Sequence, residues 1–159
     1  GFAHKSETGG VALSLRDGKA VMNAGAAMQG DTFILEEMIE DKIAELLIGI
    51  VKDPAHGFVL TLAAGGIFTE LLKDQTSLLI PATREQVKQS LARLKMAPVL
   101  DGYRNQPAAD IDSILDVVEA IQAYVLANPA GVEEVEVNPL IATPTRAVAA
   151  DALIRKRHD

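Results

Sequence analysis

The sequence predicts an α+β fold in which helices pack on a mixed or antiparallel sheet. Short apolar segments separated by Gly, Pro and Asp come first, as in a series of strands. Two longer segments with helical periodicity follow them, and a pair of strand-like segments closes the chain. This order of strands, helices and a final hairpin is typical of a sheet with helices packed against it.

The predicted elements follow from local signals along the chain. The predicted strands are 11–15, 32–39, 45–51, 58–62, 67–72, 77–80, 132–141 and 147–154, with a helix over 19–28. A second helix begins at Thr83, where Gln86 completes a capping box, and Pro98 marks its end. A third helix runs from Asp110 to about residue 127, before Asn128-Pro129.

Length, composition and net charge limit the kinds of protein that this sequence can be. The 159 residues suit one domain, and 48% of them are hydrophobic, which is enough for a core. The absence of cysteine favours a cytoplasmic protein. The net charge of −7 argues against nucleic-acid binding, and the apolar runs are too short to span a membrane. An acidic protein still binds nucleotides when backbone N–H groups and a cation supply positive charge.

Alternation in the last hairpin predicts a metal site. In the stretch 134–138, Glu136 and Asn138 share one face of a strand. A turn centred on 144–145 would put Asn138 opposite Asp151, on the same face. Carboxylate and amide oxygens are ligands that Mg²⁺ takes together with water and phosphate. The alternative is a solvated polar face, and a slip of one residue would move Asp151 to the other face.

The first residues suggest a phosphate-binding loop. Gly9 and Gly10 precede an apolar segment, and paired glycines let backbone N–H groups approach a phosphate closely. Lys5 adds a point charge, and His4 is a candidate phosphoryl acceptor because neutral imidazole is a nucleophile. The alternative is an ordinary loop with an exposed histidine.

Four acidic residues stand in otherwise apolar predicted strands. They are Glu36, Glu37, Glu45 and Glu70. A carboxylate in such a place is costly unless it pairs or binds something. Together they indicate a polar cleft, and the alternative for each is a salt bridge or an edge position.

Five motifs occur along the chain in a fixed order. They are His4-Lys5-Ser6-Glu7-Thr8-Gly9-Gly10-Val11, Leu35-Glu36-Glu37-Met38-Ile39, Gly65-Gly66-Ile67-Phe68-Thr69-Glu70-Leu71-Leu72-Lys73-Asp74, Asp101-Gly102-Tyr103-Arg104 and Glu136-Val137-Asn138-Pro139-Leu140. In their order and spacing they resemble the ATP-grasp module of the NDP-forming acetyl-CoA and acyl-CoA synthetases, and the β-subunit of succinyl-CoA synthetase is a more distant relative. The resemblance covers nearly the whole chain.

The resemblance implies an acid–thiol ligase that uses ATP/ADP and Mg²⁺ and works through an acyl phosphate and a phosphohistidine. It implies that Asn138 and Asp151 hold Mg²⁺, with Glu136 beside them. Lys5 belongs to the same predicted nucleotide site as Gly9 and Gly10, which the resemblance puts near the phosphates. It implies that Glu36, Glu37 and Glu45 line the adenine and ribose side. It makes His4 the second phosphoryl acceptor.

The resemblance also implies that residues 1–159 form a single partial ATP-grasp domain that lacks its N-terminal part. The CoA-binding and ligase domains, or a subunit that carries them, are then the expected partners, and the fragment alone is expected to be inactive. One alternative is a regulatory, non-catalytic ATP-grasp-like domain of a protein lysine acetyltransferase, and another is an assembly domain that binds no nucleotide. A homo-oligomer is possible, and the stretch 101–107 is either a docking loop or an ordinary turn.

Overall fold

The computed structural model describes residues 10–30, 32–66 and 73–157 of the chain. The chain divides into two units, Gly1–Glu40 and Asp41–Asp159. The sequence suggested one partial domain. The first unit contains one helix among its described residues, and the second contains the sheet and the other helices.

Helix α1 spans Gly18–Ala27, as the sequence predicts to within a residue. Asp17 caps it, because its side chain accepts a hydrogen bond from the backbone N–H of Ala20 at 2.7 Å. None of its residues is buried. Arg16 and Glu40 form an exposed ion pair at 3.3 Å, which joins two distant parts of this unit.

The two strands predicted in the first unit are wrong as far as the structure describes them. Residues 11–15 and 32–39 have no regular secondary structure. Ser14 has a φ of 58°, which is left-handed and incompatible with an extended strand. A strand also needs a hydrogen-bonded neighbour, and within the described part of this unit no strand exists to pair with 32–39.

The second unit is built on a six-stranded antiparallel sheet in the order β3-β2-β1-β4-β5, with β6 also paired to β4. The structure confirms four predicted strands, those over 45–51, 58–62, 77–80 and 132–141. The predicted strand over 147–154 is divided in two. The predicted strand over 67–72 lies outside the described residues. The strands are β1 Ala44–Asp53, β2 Gly57–Ala64, β3 Gln75–Leu79, β4 Val132–Ala142, β5 Ala147–Ala149 and β6 Ala152–Lys156.

One face of this sheet packs against the helices, and the other, called the open face below, is only partly exposed. Leu46, Ile48 and Ile50 of β1 are completely buried and form the centre of the core with Leu60 and Leu62 of β2. The residues between them along β1 point to the other face because side chains alternate along a strand. The core face therefore carries the helices, and the open face is where polar side chains can gather.

Among the described residues of the second unit, three helices cover the core face. They are α2 Arg84–Leu91, α3 Ala97–Leu100 and α4 Ile111–Ala127. The predicted capping box of Thr83 and Gln86 is confirmed, as is the start of α4 after Asp110. The prediction that Pro98 ends α2 is wrong, because α2 ends at Leu91 and Pro98 lies in the first turn of α3, where proline is tolerated. No helix in the described ranges is long and apolar enough to cross a membrane.

Arg84 joins α2 to α4 through three acidic side chains. Its guanidinium lies 2.7 Å from Asp116, 3.0 Å from Asp112 and 3.0 Å from Glu119. Hydrogen bonds to Asp116 and Asp112 raise the pKa of Arg84 above its ordinary value. The contacts lie at the surface, so they orient the two helices more than they stabilise them.

Asp74 ties the end of the segment after β2 to the helical layer. Its carboxylate is 5% exposed and accepts hydrogen bonds from the backbone N–H groups of Lys95 at 2.7 Å and Met96 at 2.9 Å. Its own carbonyl accepts a bond from the N–H of Ala64 at 3.0 Å. A buried carboxylate with two backbone donors holds this junction in one conformation.

We expect Asp74→Asn to destabilise the second unit by about 2 kcal/mol, because one of the two backbone N–H groups would then face an amide donor. The measurement is the free energy of unfolding in urea. Asp101→Asn, at an exposed position, is the matched control and should change little. Equal losses for the two variants would contradict the structural role of Asp74.

Candidate functional site

The predicted metal and nucleotide residues of the second unit lie on one face of the sheet. Glu136 of β4 is paired with Gly49 of β1, so both point to the open face. Glu45 lies four residues before Gly49 on β1 and, by alternation, points to the same face. The structure thus places Glu45 and Glu136 on the side of the sheet opposite the core.

The register predicted for the last hairpin is confirmed. Ala142 pairs with Ala147 beside the turn, and Val137 pairs with Ala152 further along. Between these pairs the N–H of Asn138 donates to the carbonyl of Asp151 at 3.1 Å. Asn138 and Asp151 are therefore directly opposed, as the turn at 144–145 requires.

The side chains of Glu136 and Asn138 are in contact, and Asp151 lies on the neighbouring strand segment opposite Asn138. Asn138 Nδ2 donates to Glu136 Oε1 at 3.4 Å, and Asp151 Oδ1 accepts a bond from the N–H of Ala152 at 2.9 Å. Glu136 is half-buried, whereas Asn138 and Asp151 are exposed. The amide of Asn138 therefore turns its nitrogen to Glu136, and its oxygen is the atom that suits a cation.

The oxygen donors of Glu136, Asn138 and Asp151 fit Mg²⁺ better than a metal whose ligands all come from the protein. Across the described ranges, no three His, Cys, Asp or Glu side chains form a group that could hold a metal. Glu136 and Asp151 instead offer two carboxylates, and Asn138 offers one amide; all three are hard oxygen donors. Mg²⁺ commonly takes one or two carboxylates and completes its shell with water and phosphate oxygens.

A β-bulge shapes this end of β4. Leu46 pairs with Leu140 but Ile48 pairs with Val137, so β4 has one extra residue between these pairs. In a regular strand, residues three apart point to opposite faces of the sheet. Because of the bulge, Val137 and Leu140 both point into the core and are buried. Asn138 and Pro139 form the extra step, so the bulge lies at the predicted metal ligand.

Glu45 is held on two sides. Lys42 Nζ lies 2.7 Å from Glu45 Oε1, and the N–H of Gly65 donates to the carbonyl of Glu45 at 2.7 Å. A Cβ at Gly65 would lie 2.8 Å from the Glu45 carbonyl carbon, and one at Gly66 would lie 2.9 Å from Glu45 Oε2. Glycine is needed at position 65 because the added Cβ would meet backbone atoms of Glu45, and it is favoured at position 66 by a φ of 68°.

The remaining predicted site residues lie elsewhere in the chain or outside the described residues. Glu36 and Glu37 are exposed and belong to the first unit, in the segment that is not a strand. Gly10 is exposed and also outside regular secondary structure. The predictions for His4, Lys5, Gly9 and Glu70 fall on residues that the structure does not describe.

The sequence analysis did not predict the ion pair of Lys42 with Glu45 or the contact of Gly65 with Glu45. The sequence shows Lys42 three residues before Glu45, a spacing that suits a local ion pair, and Gly65-Gly66 directly after a strand. What it does not show is that Gly65 pairs with Glu45. That contact follows from the β1–β2 register, in which Leu46 pairs with Ala64.

Comparison with known proteins gives one matching family. The model of that family, described as an ATP-grasp domain, matches residues 1–155. The chain is 32% identical over 96% of its length to a trans-feruloyl-CoA synthase from an unknown prokaryotic organism, of which it spans 23%. It is 26% identical over 94% of its length to the β subunit of ADP-forming acetate–CoA ligase I from Pyrococcus furiosus, of which it spans 68%.

Comparison with solved structures also finds an acetyl-coenzyme A synthetase. The chain is similar to the dinucleotide-forming acetyl-coenzyme A synthetase 1 of Ca. Korarchaeum cryptofilum, with a TM-score of 0.80 and 26% identity. The alignment covers 98% of this chain and 71% of that one. That protein is in complex with coenzyme A and Mg-AMPPCP, and its phosphohistidine segment points towards the nucleotide-binding site.

We expect Gly65→Ala to destabilise the second unit by roughly 1–3 kcal/mol, because the added methyl group would meet backbone atoms of Glu45 that cannot move aside. Gly131→Ala is the control, since a Cβ at Gly131 has no atom within 4 Å. The free energies of unfolding of both variants in urea provide the comparison. A Gly65→Ala variant as stable as Gly131→Ala would show that the turn does not pack on Glu45.

Proposed function

The chain belongs to the ATP-grasp domain family, and from this premise we propose that it is the nucleotide-binding part of an ADP-forming acyl-CoA synthetase. The proposed overall reaction is acid + CoA + ATP ⇌ acyl-CoA + ADP + phosphate. One observation carries the proposal: Glu45 and Glu136 lie on the same face of the sheet, and Asn138, which contacts Glu136, is directly opposed to Asp151. The match over residues 1–155 supports treating both units as parts of one domain.

The separation of the two groups suits a nucleotide lying across the open face. Asn138 lies between Val137, which pairs with Ile48, and Leu140, which pairs with Leu46, so it is about two residues along β1 from Glu45. This is roughly 7 Å along the sheet, and each strand crossed adds about 5 Å, one for Asn138 and two for Asp151. A nucleoside triphosphate can span that separation, with the ribose near Glu45 and the terminal phosphates near Asn138 and Asp151.

In this arrangement Asn138 and Asp151 would hold Mg²⁺, with Glu136 supporting the amide of Asn138. Bound Mg²⁺ neutralises charge on the phosphate oxygens during phosphoryl transfer. Glu136 keeps the Asn138 nitrogen engaged at 3.4 Å, so the amide oxygen is presented to the cation. The bulge at 138–139 supports this role because bulges commonly re-aim side chains next to active sites.

Phosphoryl transfer in the proposed relay begins at an imidazole nitrogen of His4. That nitrogen would attack the γ-phosphorus of ATP, so that an N–P bond forms while the P–O bond to ADP breaks and ADP leaves with the electron pair. In our proposal Lys5, Gly9 and Gly10 neutralise and orient the phosphates, and Glu36 and Glu37 line the base side. These roles rest on the resemblance of the motifs.

The partners follow from the chemistry. The chain spans less than a quarter of the trans-feruloyl-CoA synthase it matches, and we propose that CoA-binding and ligase domains, or a subunit that carries them, supply the remaining sites. The relatives named above are CoA ligases and synthetases, and no observation favours the regulatory acetyltransferase alternative. A cytoplasmic location and a homo-oligomer stay predictions.

We expect Asp151→Ala, made in the complete protein, to weaken Mg²⁺-dependent ADP binding by about tenfold or more, since even the neighbours of metal ligands are worth this much. Calorimetric titration with ADP, with and without Mg²⁺, measures the effect. Glu133→Ala is the control, because Glu133 is an exposed carboxylate of the same strand region and lies outside the five motifs. Unchanged Mg-ADP affinity in Asp151→Ala would exclude the metal assignment.

We expect the complete protein to take up label from γ-labelled ATP and Mg²⁺ in an acid-labile, base-stable form, as a phosphoramidate bond requires. His4→Ala should remove most of that label and leave Mg-ADP affinity nearly unchanged. Removal of Mg²⁺ with a chelator should abolish labelling in the unmutated protein. Full labelling of the His4→Ala variant would place the phosphoryl acceptor at another residue.

A further inference from the structure

We propose that Lys42 is a positioning residue that orients the Glu45 carboxylate toward the ribose hydroxyls of the bound nucleotide. This proposal rests on the function proposed above and adds to it a residue that the motifs do not contain. Lys42 precedes β1 at a position that none of the five motifs covers.

The contact between the two side chains is short and partly shielded from solvent. Lys42 Nζ lies 2.7 Å from Glu45 Oε1, with side chains that are 48% and 28% exposed. A charge-assisted hydrogen bond of this length fixes the plane of the carboxylate more strongly than a neutral one does. Because one partner is at the surface, we expect an effect on orientation that is moderate in size.

The second oxygen of Glu45 faces Gly66. A Cβ at Gly66 would lie 2.9 Å from Oε2, so glycine leaves the space that this orientation of the carboxylate needs. The bond from Lys42 to Oε1 is then the contact that fixes the orientation of the carboxylate. A carboxylate fixed in this way can accept hydrogen bonds from ribose hydroxyls, as acidic residues do in other nucleotide sites.

A cavity of about 170 Å³ lies beside Lys42. Its lining residues are Lys42, Ile43, Val99, Tyr103 and Gln106. This space allows a larger cationic side chain at position 42 without a clash. Lys42→Arg is therefore the conservative variant that keeps the charge near Glu45, and Lys42→Met removes the charge while keeping the length.

A direct contact between Lys42 and the nucleotide is the competing explanation. An amine that reached a phosphate would strengthen binding of every nucleotide, whatever its sugar. An amine that acts through Glu45 affects only ligands with ribose hydroxyls. Comparison of ADP with 2′,3′-dideoxy-ADP separates the two cases, because these ligands share the base and the phosphates.

The experiment measures the affinities of Mg-ADP and Mg-2′,3′-dideoxy-ADP by calorimetry for the complete protein. The variants are Lys42→Met, Lys42→Arg, Glu45→Gln and the double variant of Lys42→Met with Glu45→Gln. We expect the unmutated protein to prefer ADP by roughly tenfold or more. Lys42→Met should reduce this preference by about two- to fivefold, Lys42→Arg should retain it, and the double variant should match Glu45→Gln.

Three outcomes would overturn the proposal in different ways. Equal losses for both nucleotides in Lys42→Met would show a direct contact or a general structural role. A further loss when Lys42→Met is added to Glu45→Gln would show that Lys42 acts independently of Glu45. If the unmutated protein bound neither nucleotide, the proposed function itself would fail, whereas the first two results would leave nucleotide binding intact.

Discussion

The antiparallel pairing of β1 with β4 is the constraint on which the other features depend. It brings Ile48 and Val137 together in the core and, on the other side, sets Gly49 against Glu136. Because side chains alternate, the same register that buries one face must expose the other. The polar residues of the candidate site are thus gathered by the core packing, and a slip of one residue would disrupt both.

The bulge in β4 resolves a conflict that the strict alternation of the sequence would otherwise create. Asn138 and Leu140 are two residues apart, so a regular strand would place them on one face, one polar and one apolar. The extra residue in β4 lets Leu140 be buried while Asn138 stays exposed. Pro139 was the signal for this, since proline inside a paired strand commonly marks a bulge.

What the sequence can predict depends on whether a feature is local. The capping box at Thr83 and the opposition of Asn138 to Asp151 follow from short spacings, and both are observed. The prediction of a strand over 32–39 was wrong. It rested on the apolar residues of this stretch, and apolar residues do not show whether a neighbouring strand exists to pair with it. Ile34 is 86% exposed in this unit. The Glu45–Gly65 contact was missed for the same reason, as it depends on the pairing of two strands.

The two anchors of the segment after β2 link the open face to the core. At its start, Gly65 is bound to Glu45, the proposed ribose contact, at 2.7 Å. At its end, Asp74 is fixed to Lys95 and Met96 in the helical layer, and its carbonyl bonds back to Ala64. Gly65 and Asp74 thus fix the two described ends of the connection between β2 and β3. Bonds from Lys42 and Gly65 hold Glu45, a half-buried carboxylate on the central strand β1, and this anchoring supports its proposed role as the ribose contact.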